Sequence, residues 1–129
     1  MPRLPINTEG FREAFEEEIA AGHDILYIAF SSGLSTTYNS GRFALADLSD
    51  KYPERKLVAV DSLCASAGFG LLVYLAAKKM ADGATLEEVE KFVLDTRLHI
   101  CHWFTVDDLV YLKRGGRISP AATLIGTML

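Results

Sequence analysis

Three short clusters hold the side chains of this sequence best suited to binding chemistry. Ser31, Ser32, Ser35, Thr36 and Thr37 surround Gly33; Ser62 and Ser66 flank Cys64; Lys113, Arg114 and Arg117 bracket Gly115 and Gly116. The first cluster follows directly on Ile25 to Phe30, an apolar run of the length of one buried strand, and leads into a helical pattern. A strand that turns into a helix through hydroxyl residues can aim backbone N–H and side-chain O–H groups at one spot, which suits a carboxylate or a phosphate. The same pattern also fits an ordinary strand-to-helix turn, in which serine and threonine only cap the helix. The basic cluster reads in two ways as well. It can meet a head group or an acidic partner surface, or it can close a helix whose last carbonyls favour cations and whose glycine stops it.

Other chemistries find less in the sequence. Ser32 as a nucleophile lacks the hydrolase elbow, because Phe30 and Leu34 stand where that motif has glycines; Asp61 and His102 could be imagined as its partners, but no spacing calls for them. No Walker A or G-x-G-x-x-G pattern offers a nucleotide site. His99, Cys101 and His102 have the types of metal ligands, yet on a strand the first two face away from the third. No metal or cofactor is therefore expected. Cys64 reads as a small packing residue, or as a reactive thiol if a helix N-terminus lowers its pKa. Asp61, at a strand end, suits bracing the loops better than acting as a base.

The elements that must position these groups follow from periodicity. Asn7 or Thr8 can cap a helix beginning near Glu9, with Phe11, Phe15 and Ile19 on one face, Glu16 to Glu18 toward water, and Gly22 as its stop. His23 then lies in a surface loop. After the Ile25–Phe30 strand a helix runs from about Ser35 to Ser49, with Tyr38, Phe43, Ala44 and Leu48 inward. Lys56 to Asp61 is a second strand. Strand, helix, strand reads as a βαβ unit with a parallel, right-handed crossover. A long helix spans about Ser66 to Ala81, burying Leu71, Leu72, Leu75 and Ala76, with Gly68 and Gly70 allowing a close approach in its first turns. Thr85 and Glu88 form a capping box for a helix that turns Leu86, Val89, Phe92 and Val93 inward. His99 to Val106 reads as a third strand, Thr105 as the cap of a short helix, and Ser119-Pro120 as the start of a last helix reaching Leu129. Phe43, Phe69, Tyr74 and Phe104 are read as core. The architecture expected is α/β, a three-layer parallel-sheet domain, with both serine clusters at the carboxyl edge where open α/β sheets take ligands.

At 129 residues the chain fits a single domain over 1–129, and half of it is hydrophobic. A formal charge of -4 argues against nucleic acid as a partner. No apolar run approaches the roughly 20 residues that cross a bilayer. The N-terminus has no apolar signal core, so reduced cysteines and a cytoplasmic location are expected, with transient membrane contact at most.

Read in order, FSSGLSTTYNS, VDSLCASAGFGLLV and FTVDDLVYLKRGGRIS, followed by Gly126, resemble the DegV family over about Phe11 to Leu129. The resemblance implies a bacterial fatty-acid-binding protein, without catalysis of its own, that presents the lipid to a separate fatty-acid kinase subunit. It implies a head-group site built on Ser31, Ser32, Gly33 and Ser35, extended by Thr37 and Ser62, with Arg114 near the head-group end. The motif does not choose among the serines for the direct contact. The sequence departs from the family pattern in three places. Thr36 replaces a glycine, MPRLP lacks the Thr-Ser that precedes the family's proline, and the chain is shorter than the family at both ends. An incomplete member of the two-domain fold is thus expected, and the apolar run into Leu129 fits a partial chain. Two alternatives stand beside this reading: a serine hydrolase acting on acyl esters, and a non-binding fragment that self-associates through Leu124–Leu129.

Overall fold

The computed structural model describes residues 7–103, 105–119, 122 and 126. The order is α1 (Thr8–Ala20), β1 (Ile25–Ala29), α2 (Thr37–Lys51), β2 (Leu57–Asp61), α3 (Ser66–Ala81), α4 (Leu86–Thr96), a 3-10 turn (Arg97–His99) and α5 (Leu109–Arg114). β1 and β2 pair in parallel, from Ile25 opposite Leu57 to Ala29 opposite Asp61, so both strands end at the same edge. That edge carries the two serine clusters, because each follows its strand directly in the sequence.

Alternation along the strands sorts the core into two layers. On one side Tyr27 packs against the rings of Phe11 and Phe15 from α1. Gly41 of α2 lies so close to that ring that a Cβ there would stand 2.9 Å from Tyr27 Cδ1. Ala44, Leu45 and Leu48 complete the buried side of α2. On the other side Val60, Cys64, Leu72, Ala76, Val89 and Val93 form one cluster, with Leu26, Ile28 and Val58 against it. Helices α1 and α2 thus cover one face and α3 and α4 the other, the three-layer arrangement expected of parallel strands.

The helix ends follow their sequence signals. The Asn7 side chain accepts from Gly10 N at 2.9 Å. Thr85 and Glu88 close a reciprocal capping box. Gly22 and Gly83 adopt φ of +92° and +94°, which a side chain would strain.

Several expectations are corrected. Residues 97–99 form a 3-10 turn, 100–103 are irregular, and the described sheet has two strands, not three. The apparent alternation of HICHWFTV fails because His102 turns to the start of α3, where its Nε2 accepts from Ala65 N at 3.4 Å. Gly68 makes room for that ring, since a Cβ there would overlap it. A Cβ at Gly70 would meet no described residue within 4 Å, so no close approach calls for that glycine. Asp108, not Thr105, caps α5, accepting from Val110 N at 2.8 Å. Phe43, Leu71 and Tyr74 are exposed at 52%, 48% and 63%, because the buried stripes of α2 and α3 run through Gly41, Ala44, Leu45, Leu48 and through Leu72, Ala76. Glu16 is not simply solvated: its Oε1 accepts from Tyr52 Oη at 2.9 Å and pairs with Lys51. Phe104 and most of the last expected helix lie outside the described residues. Within them, Ala122 N donates to Ser119 Oγ at 3.1 Å, and Ala122 and Gly126 are helical.

Candidate functional site

The serine turn after β1 is built largely from its own polar groups. Ser31 O accepts from Leu34 N and Ser35 N, both at 3.1 Å, which winds the chain into a compact loop. Ser31 Oγ accepts from Gly33 N at 3.3 Å. Ser35 Oγ accepts from Thr37 N at 3.2 Å and lies 2.7 Å from Thr37 Oγ1. Ser31 N donates to Cys64 O at 3.0 Å, and Ser32 N donates to Asp61 Oδ1 at 3.1 Å. Most amides from 31 to 37 are therefore turned inward, against the expectation that they gather on a ligand. Short hydroxyl side chains and a neighbouring carboxylate compete for them at close range.

Facing outward is a hollow of about 300 Å³ lined by Ser32, Gly33, Leu34, Ser35, Thr36, Gly116 and Arg117. Thr36 is the N-cap residue of α2, and its side chain makes no capping bond. The first amide of the 15-residue helix is met instead by Ser35 Oγ, which accepts from Thr37 N, so the helix start beside the hollow is capped from the turn itself. Arg117 crosses from the basic cluster, its Nε donating to Leu34 O at 3.2 Å and its Nη1 to Gly115 O. A guanidinium fork has more donors than these two contacts use. Gly116, at φ +73°, gives the chain the turn that brings Arg117 back toward the serines.

A second hollow, about 350 Å³, shares Leu34 and Arg117 with the first. Its other lining residues are Ala65, Ser66, Thr105, Leu112 and Ile118. The two together put a hydroxyl-rich hollow next to a mostly apolar one, with Arg117 on both.

The remaining sequence candidates are placed differently. Ser62 is fully buried, with Oγ accepting from Cys64 N at 3.0 Å, and lines neither hollow. Arg114 is exposed at the end of α5 and lines neither. Thr37 reaches the site only through Ser35. Cys64 is buried against Arg97 O, and burial pushes its thiol up in pKa, the opposite of an activated cysteine. Among the described residues no three His, Cys, Asp or Glu side chains could hold a metal ion, and no helix is long and apolar enough to cross a membrane. Leu112 and Ile118 were not singled out in the sequence. Their signal is their position on either side of KRGGR, which folds back over the serine turn.

The DegV family model, described as "Uncharacterised protein, DegV family", matches residues 4–129. The chain belongs to the DegV family. A DegV domain-containing protein of Clostridium perfringens is 48% identical over 124 residues, which are 96% of this chain and 43% of that one. A fatty-acid-binding DegV family protein from Thermus thermophilus superposes with a TM-score of 0.79 at 31% identity, over 97% of this chain and 43% of its own. A DegV lipid-binding protein from Thermotoga maritima gives a TM-score of 0.62 at 29% identity, over 74% and 32%. This DegV chain therefore spans less than half the length of the relatives it matches.

Proposed function

We propose that this DegV chain binds a long-chain fatty acid with its carboxylate at the serine turn and presents it to a partner kinase subunit, without catalysing a reaction itself. The observation that carries the reading is the pair of hollows that share Leu34 and Arg117, one rich in hydroxyls, the other mostly apolar. A fatty acid divides in the same way. Burying about 15 methylenes gives on the order of 12 kcal/mol before ordering costs, so the tail supplies affinity. The head must not be left dry and unpaired, which costs several kcal/mol. Ser32, Ser35 and Arg117 line the polar hollow and offer donors for it. Hydroxyls orient a carboxylate without neutralising it, which leaves an oxygen accessible to phosphoryl transfer. Fatty-acid binding by the Thermus relative supports the ligand class. Ser31, Gly33, Thr37 and Ser62 then shape the turn, and Arg114, exposed at the end of α5, is offered to the partner.

The hydrolase alternative finds no support in the geometry. Asp61 Oδ1 accepts from the amides of Ser32 and Leu63, and His102 Nε2 accepts from Ala65 N, so neither is arranged to activate Ser32. The deciding experiment is solvent extraction of the purified chain followed by mass spectrometry, with titration of a fluorescent fatty acid into the delipidated protein. Stoichiometric fatty acid and saturable binding are expected. A folded chain that carries and takes up none would overturn the proposal.

A further inference from the structure

The loop between β2 and α3 is wound more tightly than a simple connection requires. Leu63 has φ +55° and Ser66 φ +50°, left-handed conformations that strain any residue with a Cβ. Leu63 is 45% exposed, so packing does not explain its strain. What the winding achieves is a double grip on the neighbouring serine turn. Cys64 O accepts from Ser31 N at 3.0 Å. Asp61 Oδ1 accepts from both Ser32 N and Leu63 N at 3.1 Å, so one oxygen ties the strained loop to the turn. Arg97 anchors the grip from behind. Its Nη1 donates to Asp61 O at 2.7 Å, and its own carbonyl accepts from Cys64 Sγ at 3.6 Å. Among the described residues Arg97 Nε is buried without a partner, a cost consistent with a guanidinium held for its bond to Asp61 O.

We propose that Asp61 is a positioning residue for the head-group site: seated by Arg97, its carboxylate fixes the backbone of Ser32 from the end of β2. It does not touch the ligand. It sets where Ser32 presents its hydroxyl and holds the Ser32 amide away from the hollow, so the head group meets side-chain donors and Arg117. The grip itself stands on the geometry alone; its effect on a ligand rests on the fatty-acid reading above.

Hydrogen exchange read by NMR on the ligand-free protein tests the grip. In Asp61→Ala the Ser32 amide should exchange at least about tenfold faster, since a bond to a charged acceptor is lost, while Ile28 and Val60 amides keep their protection. Asp61→Asn retains an acceptor and should restore protection. In the unaltered chain a coupling across the hydrogen bond, from Ser32 nitrogen to the Asp61 carboxyl carbon, is expected even if the alanine variant fails to fold. Absence of that coupling, or unchanged Ser32 exchange in Asp61→Ala, overturns the grip. Binding of cis-parinaric acid should weaken by roughly tenfold in Asp61→Ala and recover in Asp61→Asn. Faster exchange with unchanged affinity would overturn the positioning role and leave the fatty-acid reading intact. An unaltered chain that binds no probe sinks the functional reading and the ligand half of this proposal, while the exchange data still decide the grip.

Discussion

Ser31, Ser32 and Ser35 look equivalent in the sequence, yet their surroundings divide the work. Ser31 Oγ and Ser35 Oγ hold the turn together, whereas Ser32 is exposed at the hollow. Changing all three to alanine should weaken fatty-acid retention by about tenfold or more, with Ser32→Ala alone accounting for a large part. Retention measured by mass spectrometry after extraction checks this, and an unaltered level in the triple variant would count against the site. Arg117→Ala should weaken binding more than Arg114→Ala, because only Arg117 lines the hollows. Tyr27 makes a separate prediction. Burial raises its phenol from 10 to about 12. Below pH 10 both folded and unfolded chains keep the proton. Between pH 10 and 12 the unfolded chain releases it and the folded chain does not, so stability should fall as pH rises through that window. Chemical denaturation at pH 9 and pH 11 reads the loss, and Tyr27→Phe should lessen it.

Within α3, two glycines two residues apart have opposite meanings. A methyl group at Gly68 meets the His102 imidazole, while one at Gly70 meets nothing within 4 Å. Gly68→Ala should therefore cost about 1–3 kcal/mol by overpacking. Gly70→Ala should stabilise by about 0.5–1 kcal/mol through helix propensity. Urea denaturation of the two variants should move in opposite directions, and a shared sign would contradict the close approach of His102. Thr85→Ala should cost about 1 kcal/mol by removing the capping box. This contrast also marks what was legible in the sequence. The boundaries of α3, the capping box and the βαβ order follow from local signals that tertiary contacts do not disturb. The false strand over His99–Val106 arose because its alternation of residue types was real, but a long-range contact from His102 to Ala65 N decided the conformation. Aromatic type does not decide burial here: Phe43 and Tyr74 are exposed, while Gly41 lies in the buried stripe of α2. At the site, the serine turn was legible from strand followed by hydroxyls. The inward direction of its amides was not: those of Ser31 and Ser32 go to Cys64 and Asp61, beyond the turn, and most others to the turn's own Ser31 and Ser35 oxygens, a competition that residue types alone do not reveal.

Over the described residues as a whole, helices flank both faces of a two-stranded parallel sheet, and the surface keeps large apolar side chains. Leu98, Trp103 and Tyr111 are 75%, 96% and 71% exposed. Trp103 is the single tryptophan of the chain, so its fluorescence reports this region alone. A dilute monomer should emit as tryptophan in water does and be readily quenched by acrylamide. A blue shift that grows with protein concentration would mean that another copy covers it. The two cysteines differ in the same useful way, Cys64 being enclosed and Cys101 open to solvent. A maleimide should attach to Cys101 at once under native conditions and reach Cys64 only when the chain between β2 and α3 swings away. The slow phase of labelling is then a clock for how often the loop behind the serines comes undone, readable without any lipid in the tube.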